Sequence, residues 1–392
     1  MPANISAAKP LFRPEMPLYG AILFLTEFIR GAVLISFLPI YGNKALGLNL
    51  DVIGIAVSAH YVSDTMVKLS IGYFLQRAGV KLVVGFGLLA TLAGMLLAGY
   101  AEWPWLFIAA SALLGIGISP IWIVCLSQVK EERRATQMGI LYTVWLVGLG
   151  TGPVASNLLL ERGLGLAYWA MVGVSVASCL LSLLIPAASQ AEVSVLPFAK
   201  QLAQLTARLR EMRPLLPGMV LQTLAAGMLL PILPSFAGNH LGMSPSQYSI
   251  LLFTGGAFTA IGLIPMGRLS DRYGKQWFLA AGFCVFGLTL FALTLKPPVA
   301  LSFVMAGVLG VAYAAVLPAW NALLAAYVPP NQRSLGWGVF STVEGLGGMI
   351  GPSMGGLAAA SLGEPFVVGF AGAVFVAICI VYLLFPFRLF RG

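Results

Sequence analysis

Twelve times along the chain an apolar stretch recurs that is long enough to cross a bilayer. The stretches lie near residues 16–41, 51–76, 80–101, 104–128, 135–160 and 165–187, then 214–237, 247–270, 276–295, 299–328, 334–360 and 364–387. A hydrocarbon core takes about 20 helical residues at ~1.5 Å each. The pattern therefore predicts an all-α polytopic membrane protein with twelve transmembrane helices. Composition agrees: 59% of the residues are hydrophobic, only 9% are charged, and mean hydropathy is +0.93, unlike any soluble domain. A polar segment divides the runs six and six. This predicts an N-terminal bundle (1–188), a cytoplasmic linker (189–213) and a C-terminal bundle (214–392). Residues 201–213, basic with interleaved Leu and Met, read either as an amphipathic helix on the inner leaflet or as a solvated connector.

The net charge of +9 does not point to nucleic acid, because the basic residues form no single patch or arm. They sit in short loops. Lys44, Arg162 and Lys296 fall on one side, Arg30 and Lys68 fall within spans, and the other seventeen of the 22 fall on the side shared with both termini. By the positive-inside rule the chain is N-in and C-in. Residues 1–15 carry Lys9 and Arg13 but no cleavage-type signal, so the first apolar run is expected to be retained. Cys125, Cys179, Cys284 and Cys379 all lie in apolar runs and read as buried thiols, with no metal site expected.

The two halves repeat. Gly72-Tyr-Phe-Leu-Gln76-Arg77-Ala-Gly79 closes the second run, and Gly267-Arg-Leu-Ser-Asp271-Arg272-Tyr-Gly274 closes the eighth, 195 positions later. Pro120-Ile-Trp122 returns as Pro318-Ala-Trp320 after 198 positions, and Gly152-Pro153 returns as Gly351-Pro352 after 199. Co-linear matches at nearly one offset indicate parallel repeats about an axis along the membrane normal, with a site between them at the midplane.

Ionisable residues within the spans are few: Glu27, Arg30, His60, Asp64, Lys68 and Glu344. On insertion scales a charge in mid-span costs at least about 2.5 kcal/mol, so each needs a reason. Glu27 and Arg30 are three apart and share a helical face, either as a functional pair or as an ion pair that only joins helices. His60, Asp64 and Lys68 are spaced by four on another face. His60 reads as a proton relay or as a hydrogen-bonded packing residue. A proton-coupled transporter needs carboxylates whose protonation changes with conformation, and Glu27 and Asp64 are the candidates. Five of the six ionisable residues belong to the first half; the second offers Gln222, Asn321 and Glu344 among Leu, Phe, Met and Ala. A cavity polar on one wall and apolar on the other suits an amphiphile, whether a glycolipid or a cationic drug. Trp103, Trp105, Trp169 and Trp277 read as interfacial belt residues, whereas Trp122, Trp145, Trp320 and Trp337 lie in or beside core runs. An indole there can stack on a sugar ring or simply pack.

The loops G-x-x-x-(D/Q)-R-x-G after the second and eighth runs resemble the cytoplasmic signature of the major facilitator superfamily. The eleventh run (Gly338-x8-Gly347-x3-Gly351-Pro352-x2-Gly355-Gly356) resembles its antiporter motif. The resemblance implies the major facilitator fold, with Gly72, Arg77, Gly79, Gly267, Asp271, Arg272, Gly152, Pro153, Gly351 and Pro352 as conformational motif residues. A closer resemblance spans nearly the whole chain: Glu27-Phe-x-Arg30-Gly31, His60-x-x-x-Asp64, Ser119-Pro120-Ile-Trp122, Trp145-Leu-x-Gly148 and Leu317-Pro318-Ala319-Trp320-Asn321 are similar to the lipoteichoic-acid glycolipid flippases of Gram-positive bacteria. That resemblance implies a bacterial cytoplasmic-membrane protein exchanging protons for a diglucosyl-diacylglycerol, which it moves from the inner to the outer leaflet. Glu27, Arg30 and Asp64 would couple protons; Trp122 and Trp145 would bind sugar. Arg30, His60, Gln222, Trp320, Asn321 and Glu344 complete the candidate substrate set. Lys68 and Glu344 depart from the pattern expected of that family. A proton-driven multidrug or sugar exporter of the same fold is the alternative. No P-loop, H-E-x-x-H or G-x-S-x-G motif is present, so an enzyme is not expected. The expected partners are protons, the amphiphile and the bilayer, with no cofactor beyond the proton gradient and a monomer as the working unit.

Overall fold

The computed structural model describes residues 14–101, 103–128, 134–187, 189, 216–326 and 333–384. Helix occupies each place where an apolar run was expected. In chain order these are α1 (Met16–Lys44), α2 (50–78), α3 (80–99), α4 (Pro104–Ser127), α5 (Arg134–Arg162) and α6 (Leu164–Leu183). Next come α7 (Leu216–Leu229 with Leu233–His240, bent by 51°), α8 (Pro245–Tyr273), α9 (Lys275–Thr294), α10 (Val299–Ala326), α11 (Arg333–Leu362) and α12 (Glu364–Leu384). Among the described residues, nine helices are long and apolar enough to cross a membrane, ten if bent α7 counts as one span. The expected linker lies almost wholly outside the described residues.

Local chemistry sets the breaks. α2 and α3 run on without a loop except at Gly79, whose φ of 78° no ordinary side chain adopts cheaply; Gly274, with φ 100°, parts α8 from α9 at the matching place. Pro104 and Pro245 stand in the first turns of α4 and α8, where a missing N–H costs nothing. Ser244 and Gln247 form a reciprocal capping box on α8. In α1 the ladder loosens into a π-helical stretch, Ala32–Phe37, one residue after Arg30 and Gly31. Such stretches are often found at functional positions.

Packing follows the repeat. α1 lies on α5 as α7 lies on α11; α4 packs on α2 and α3 as α10 packs on α8 and α9; α3 meets α6 as α9 meets α12. Side-chain detail repeats as well. The Ser63 hydroxyl donates to the Ala112 carbonyl at 2.7 Å, and the Thr259 hydroxyl to the Gly310 carbonyl at 3.1 Å. A Cβ at Gly152 would come 2.6 Å from the Ala32 nitrogen, and one at Gly351 would come 2.6 Å from the Leu224 oxygen, so the antiporter-motif glycines seat α5 on α1 and α11 on α7. One apolar core is built from residues of α7 to α12, and two others from α1 to α6 and the residues that follow α6.

The halves meet where α2 crosses α11 and where α5 crosses α8, two contacts that the repeat exchanges. Hydrogen bonds join them at one end. The Ser353 N–H donates to the Ser58 hydroxyl at 2.9 Å, the Ser249 hydroxyl to the Val154 carbonyl at 3.3 Å and the Tyr248 hydroxyl to the Ile35 carbonyl at 3.4 Å, while Ser246 bonds Glu161. Gly54 and Gly356 touch backbone to backbone there, and a Cβ on either would lie 3.0 Å from the other's Cα.

Candidate functional site

α1 and α2 bring the first half's charges into two pairs. Glu27 is 1% exposed, and the Arg30 guanidinium reaches its Oε2 at 3.5 Å, a charge contact with no hydrogen bond at that oxygen. Gly148 of α5 makes room for this carboxylate, since a Cβ there would stand 3.1 Å from the Glu27 Cβ. The other face of Arg30 turns to the Tyr61 ring, 5.9 Å from its centroid, near the outer reach of a cation–π contact.

Asp64 is 2% exposed and tightly held. Lys68 donates to Oδ2 at 2.6 Å from one turn along α2, with its own side chain 39% exposed. The Ser119 hydroxyl of α4 donates to Oδ1 and also lies 3.2 Å from the Asp64 main-chain oxygen. Lys68 is thus the cation that makes a carboxylate tolerable here. His60 is enclosed at 1% exposure, stacks edge-on against Tyr61 at 5.6 Å, and neither ring nitrogen has a well-formed hydrogen bond.

Next to this polar set, α4 and α5 supply an aromatic cluster. Trp122 and Trp145 have ring centroids 6.5 Å apart; Tyr142 lies 5.4 Å from Trp122 and 6.4 Å from Trp145. All three are partly exposed. In the second half, Trp320 is buried and donates its indole N–H to Glu344 Oε1 at 2.9 Å. Glu344 lies on α11 next to Gly345, whose Cβ position is 3.9 Å from the Thr65 hydroxyl of α2. Gln222 is half-buried on α7 and Asn321 exposed on α10, and neither side chain makes a hydrogen bond among the described residues.

At the motif loops, Arg77 lies over Tyr73 at 4.8 Å and Arg272 over Tyr273 at 5.4 Å, with Asp271 exposed; Gly267 faces Pro318 at 3.5 Å. The surroundings of Gly72 and the Trp337 side chain fall outside the described residues. A cavity of about 800 Å³ lies among α8, α9 and α10, lined by Phe258, Trp277, Val304, Val308 and Val311 among others. It is almost wholly apolar and holds none of the candidate residues. Sequence reasoning did not single out Ser119, Tyr61 or Tyr142 as site residues. For Ser119 a signal existed in the repeat: its counterpart is Leu317, and the 195-residue offset of α2 and α8 carries Asp64 onto Thr259, so the carboxyl–hydroxyl pair has no copy in the second half.

Comparison with known proteins fits this arrangement. A profile of the Major Facilitator Superfamily matches residues 20–217 and again 215–390. The chain is 33% identical over 340 residues to the proton-coupled antiporter flippase LtaA of Staphylococcus saprophyticus, covering 86% of this chain and 85% of the relative. It is 33% identical over 376 residues to the protein of that name from Staphylococcus haemolyticus, covering 95% and 94%. Among solved structures, a bacterial homolog to the human lysosomal transporter Spinster superposes with TM-score 0.76 at 17% identity over 98% of both chains. The nucleoside transporter NupG does so with TM-score 0.75 at 13% identity, over 97% of this chain and all of the other.

Proposed function

The chain belongs to the Major Facilitator Superfamily, and from that premise we propose that it is a proton-coupled antiporter flippase of the bacterial cell membrane. Its substrate is a glycolipid of the diglucosyl-diacylglycerol type, moved from the inner to the outer leaflet for lipoteichoic acid assembly. The observation that carries this reading is one juxtaposition: two buried carboxylates, Glu27 and Asp64, each paired with a cation, on α1 and α2, and the Trp122–Tyr142–Trp145 cluster on α4 and α5, the helices that touch them through Ser119 and Gly148. Carboxylates that gain or lose a proton supply the coupling, and the rings supply a stacking surface for sugar. The opposite wall is mainly apolar and suits acyl chains. The relatives' names, proton-coupled antiporter flippase, support proton coupling and flipping.

In this reading twelve helices cross the bilayer, N-in and C-in, as bundles 1–188 and 214–392 that rock about the linker 189–213. The hydrogen-bonded end with Ser58, Val154 and Ser353 then faces outside, and the structure is closed there. Glycolipid enters from the inner leaflet with its sugars between Arg30 and the Trp pair. Protons arriving from outside neutralise Glu27 or Asp64 and reset the carrier. Each ligand works the cycle only through its different affinity for the two states. The protein acts as a monomer, makes and breaks no covalent bond, and draws its energy from the proton gradient.

The test is a proteoliposome assay with fluorescent diglucosyl-diacylglycerol, in which dithionite quenching follows leaflet exchange with and without a pH gradient. Exchange that speeds up with the gradient supports the proposal. No exchange, with proton-driven movement of a cationic dye instead, would replace it by a drug exporter.

A further inference from the structure

Ser119 has more acceptors than its hydroxyl can serve. One O–H faces both Asp64 Oδ1 and, at 3.2 Å, the Asp64 main-chain oxygen, in a site where the serine is 1% exposed. The second carboxyl oxygen is taken by Lys68 at 2.6 Å. Ser119 also sits at a compliant point of its helix, because Pro120 follows it and cannot continue the backbone ladder. Trp122 lies three residues further on, in the same turn. The repeat supplies the contrast. The offsets of 195 residues for α2 and α8 and 198 for α4 and α10 carry Asp64 onto Thr259 and Ser119 onto Leu317. At the matching place in the second half no carboxyl stands, so this pair belongs to the half that carries Glu27, Arg30 and His60.

We propose that Ser119 is a positioning residue, a two-way hydroxyl relay that passes the state of the Asp64 carboxyl to α4 and so to Trp122. With Asp64 charged, the Ser119 hydrogen points to Oδ1. When a proton adds to Oδ1, that oxygen becomes a donor. The Ser119 oxygen then accepts its hydrogen, and the Ser119 hydrogen turns to the main-chain oxygen of Asp64. Lys68 remains an ammonium, so the Asp64–Lys68 pair goes from neutral to a single positive charge with one proton taken up. The groups that share this field are Lys68, His60 and Tyr61 on α2 and Glu27 and Arg30 on α1, with the uncharged Ser119 facing it from α4. The inference rests on the flippase reading only for what Trp122 goes on to bind.

Infrared difference spectroscopy of the purified protein across pH tests it without any substrate. The carboxylic-acid carbonyl band that Asp64→Asn removes should move to higher frequency in Ser119→Ala. Its titration midpoint should move up by about one pH unit, because a hydrogen bond to the charged form is gone. Ser119→Thr should restore both, and Ser119→Cys, a weaker donor, should give an intermediate shift if the alanine variant fails to fold. In vesicles the pH midpoint of gradient-driven exchange should move the same way. An unchanged band and midpoint in Ser119→Ala would overturn the proposal, as would the absence of any Asp64 band over the whole pH range in which the protein stays folded. A shifted band together with no glycolipid movement by the wild type would instead overturn the flippase reading and leave Ser119 its role.

Discussion

Trp320 donates to Glu344 at 2.9 Å at the place where, in the other half, Trp122 and Trp145 lie ring against ring at 6.5 Å. The offsets of 198 and 199 residues that relate the halves carry Trp122 onto Trp320 and Trp145 onto Glu344. In one half these two positions hold a pair of partly exposed rings. The other has turned one ring inward and secured it with a carboxylate.

That difference predicts a difference in stability. Trp320→Phe removes the donor from a partly buried carboxylate and should cost about 1–3 kcal/mol. Glu344→Gln keeps an acceptor and should cost well under half of that. Thermal unfolding in detergent compares them, and equal losses would show that the indole bond is not what fixes Trp320.

Asp64→Asn and Glu27→Gln should each abolish the gradient dependence of transport while leaving the fold intact. Each change removes a titrating group but keeps its shape, and the Lys68 freed by Asp64→Asn is 39% exposed and can reach water. Leaflet exchange under an imposed pH gradient should fall to the rate seen without one. Full acceleration in both variants would mean that the proton binds elsewhere.

For the aromatic cluster, Trp122→Ala and Trp145→Ala should each weaken head-group binding by about five- to tenfold, the worth of roughly 1 kcal/mol of ring contact. Phenylalanine at either position should recover most of it. Titration calorimetry with the free disaccharide measures this directly. Unchanged affinity in both alanine variants would leave the rings a packing role.

Gly356→Leu should hold the outer end open, because a side chain there must displace the α2 backbone at Gly54 and Leu50. A cysteine at Ser58, in a background free of native cysteines, should then label several-fold faster with a membrane-impermeant maleimide added outside. Labelling as slow as in the parent would show that α2 and α11 do not form the outer closure.

Much of this was legible in the sequence, for separate reasons. The helices follow from apolar length alone, and Gly79 and Gly274 announced their breaks through the repeated loop motif. Glu27 pairing with Arg30 and Asp64 with Lys68 follow from helical spacing, because neighbours three or four apart share a face whatever surrounds them. Contacts between helices were not legible in that way. Ser119 reaches Asp64 across 55 positions and Trp320 reaches Glu344 across 24, distances over which periodicity says nothing. The burial of His60 was likewise invisible, since its face is polar by composition and is covered only because α4 lies over it at Gly115.

The hydroxyl links of Ser63 and Thr259, one on each of two equivalent helix pairs, give the molecule a built-in control. The same helix-to-helix link can be cut by Ser63→Ala in the half that bears the ionisable groups and by Thr259→Ala in the half that lacks them. Whatever both losses have in common belongs to scaffold mechanics, and whatever differs belongs to proton traffic. A gene that doubled and then diverged has left each of its halves as the reference against which the other can be read.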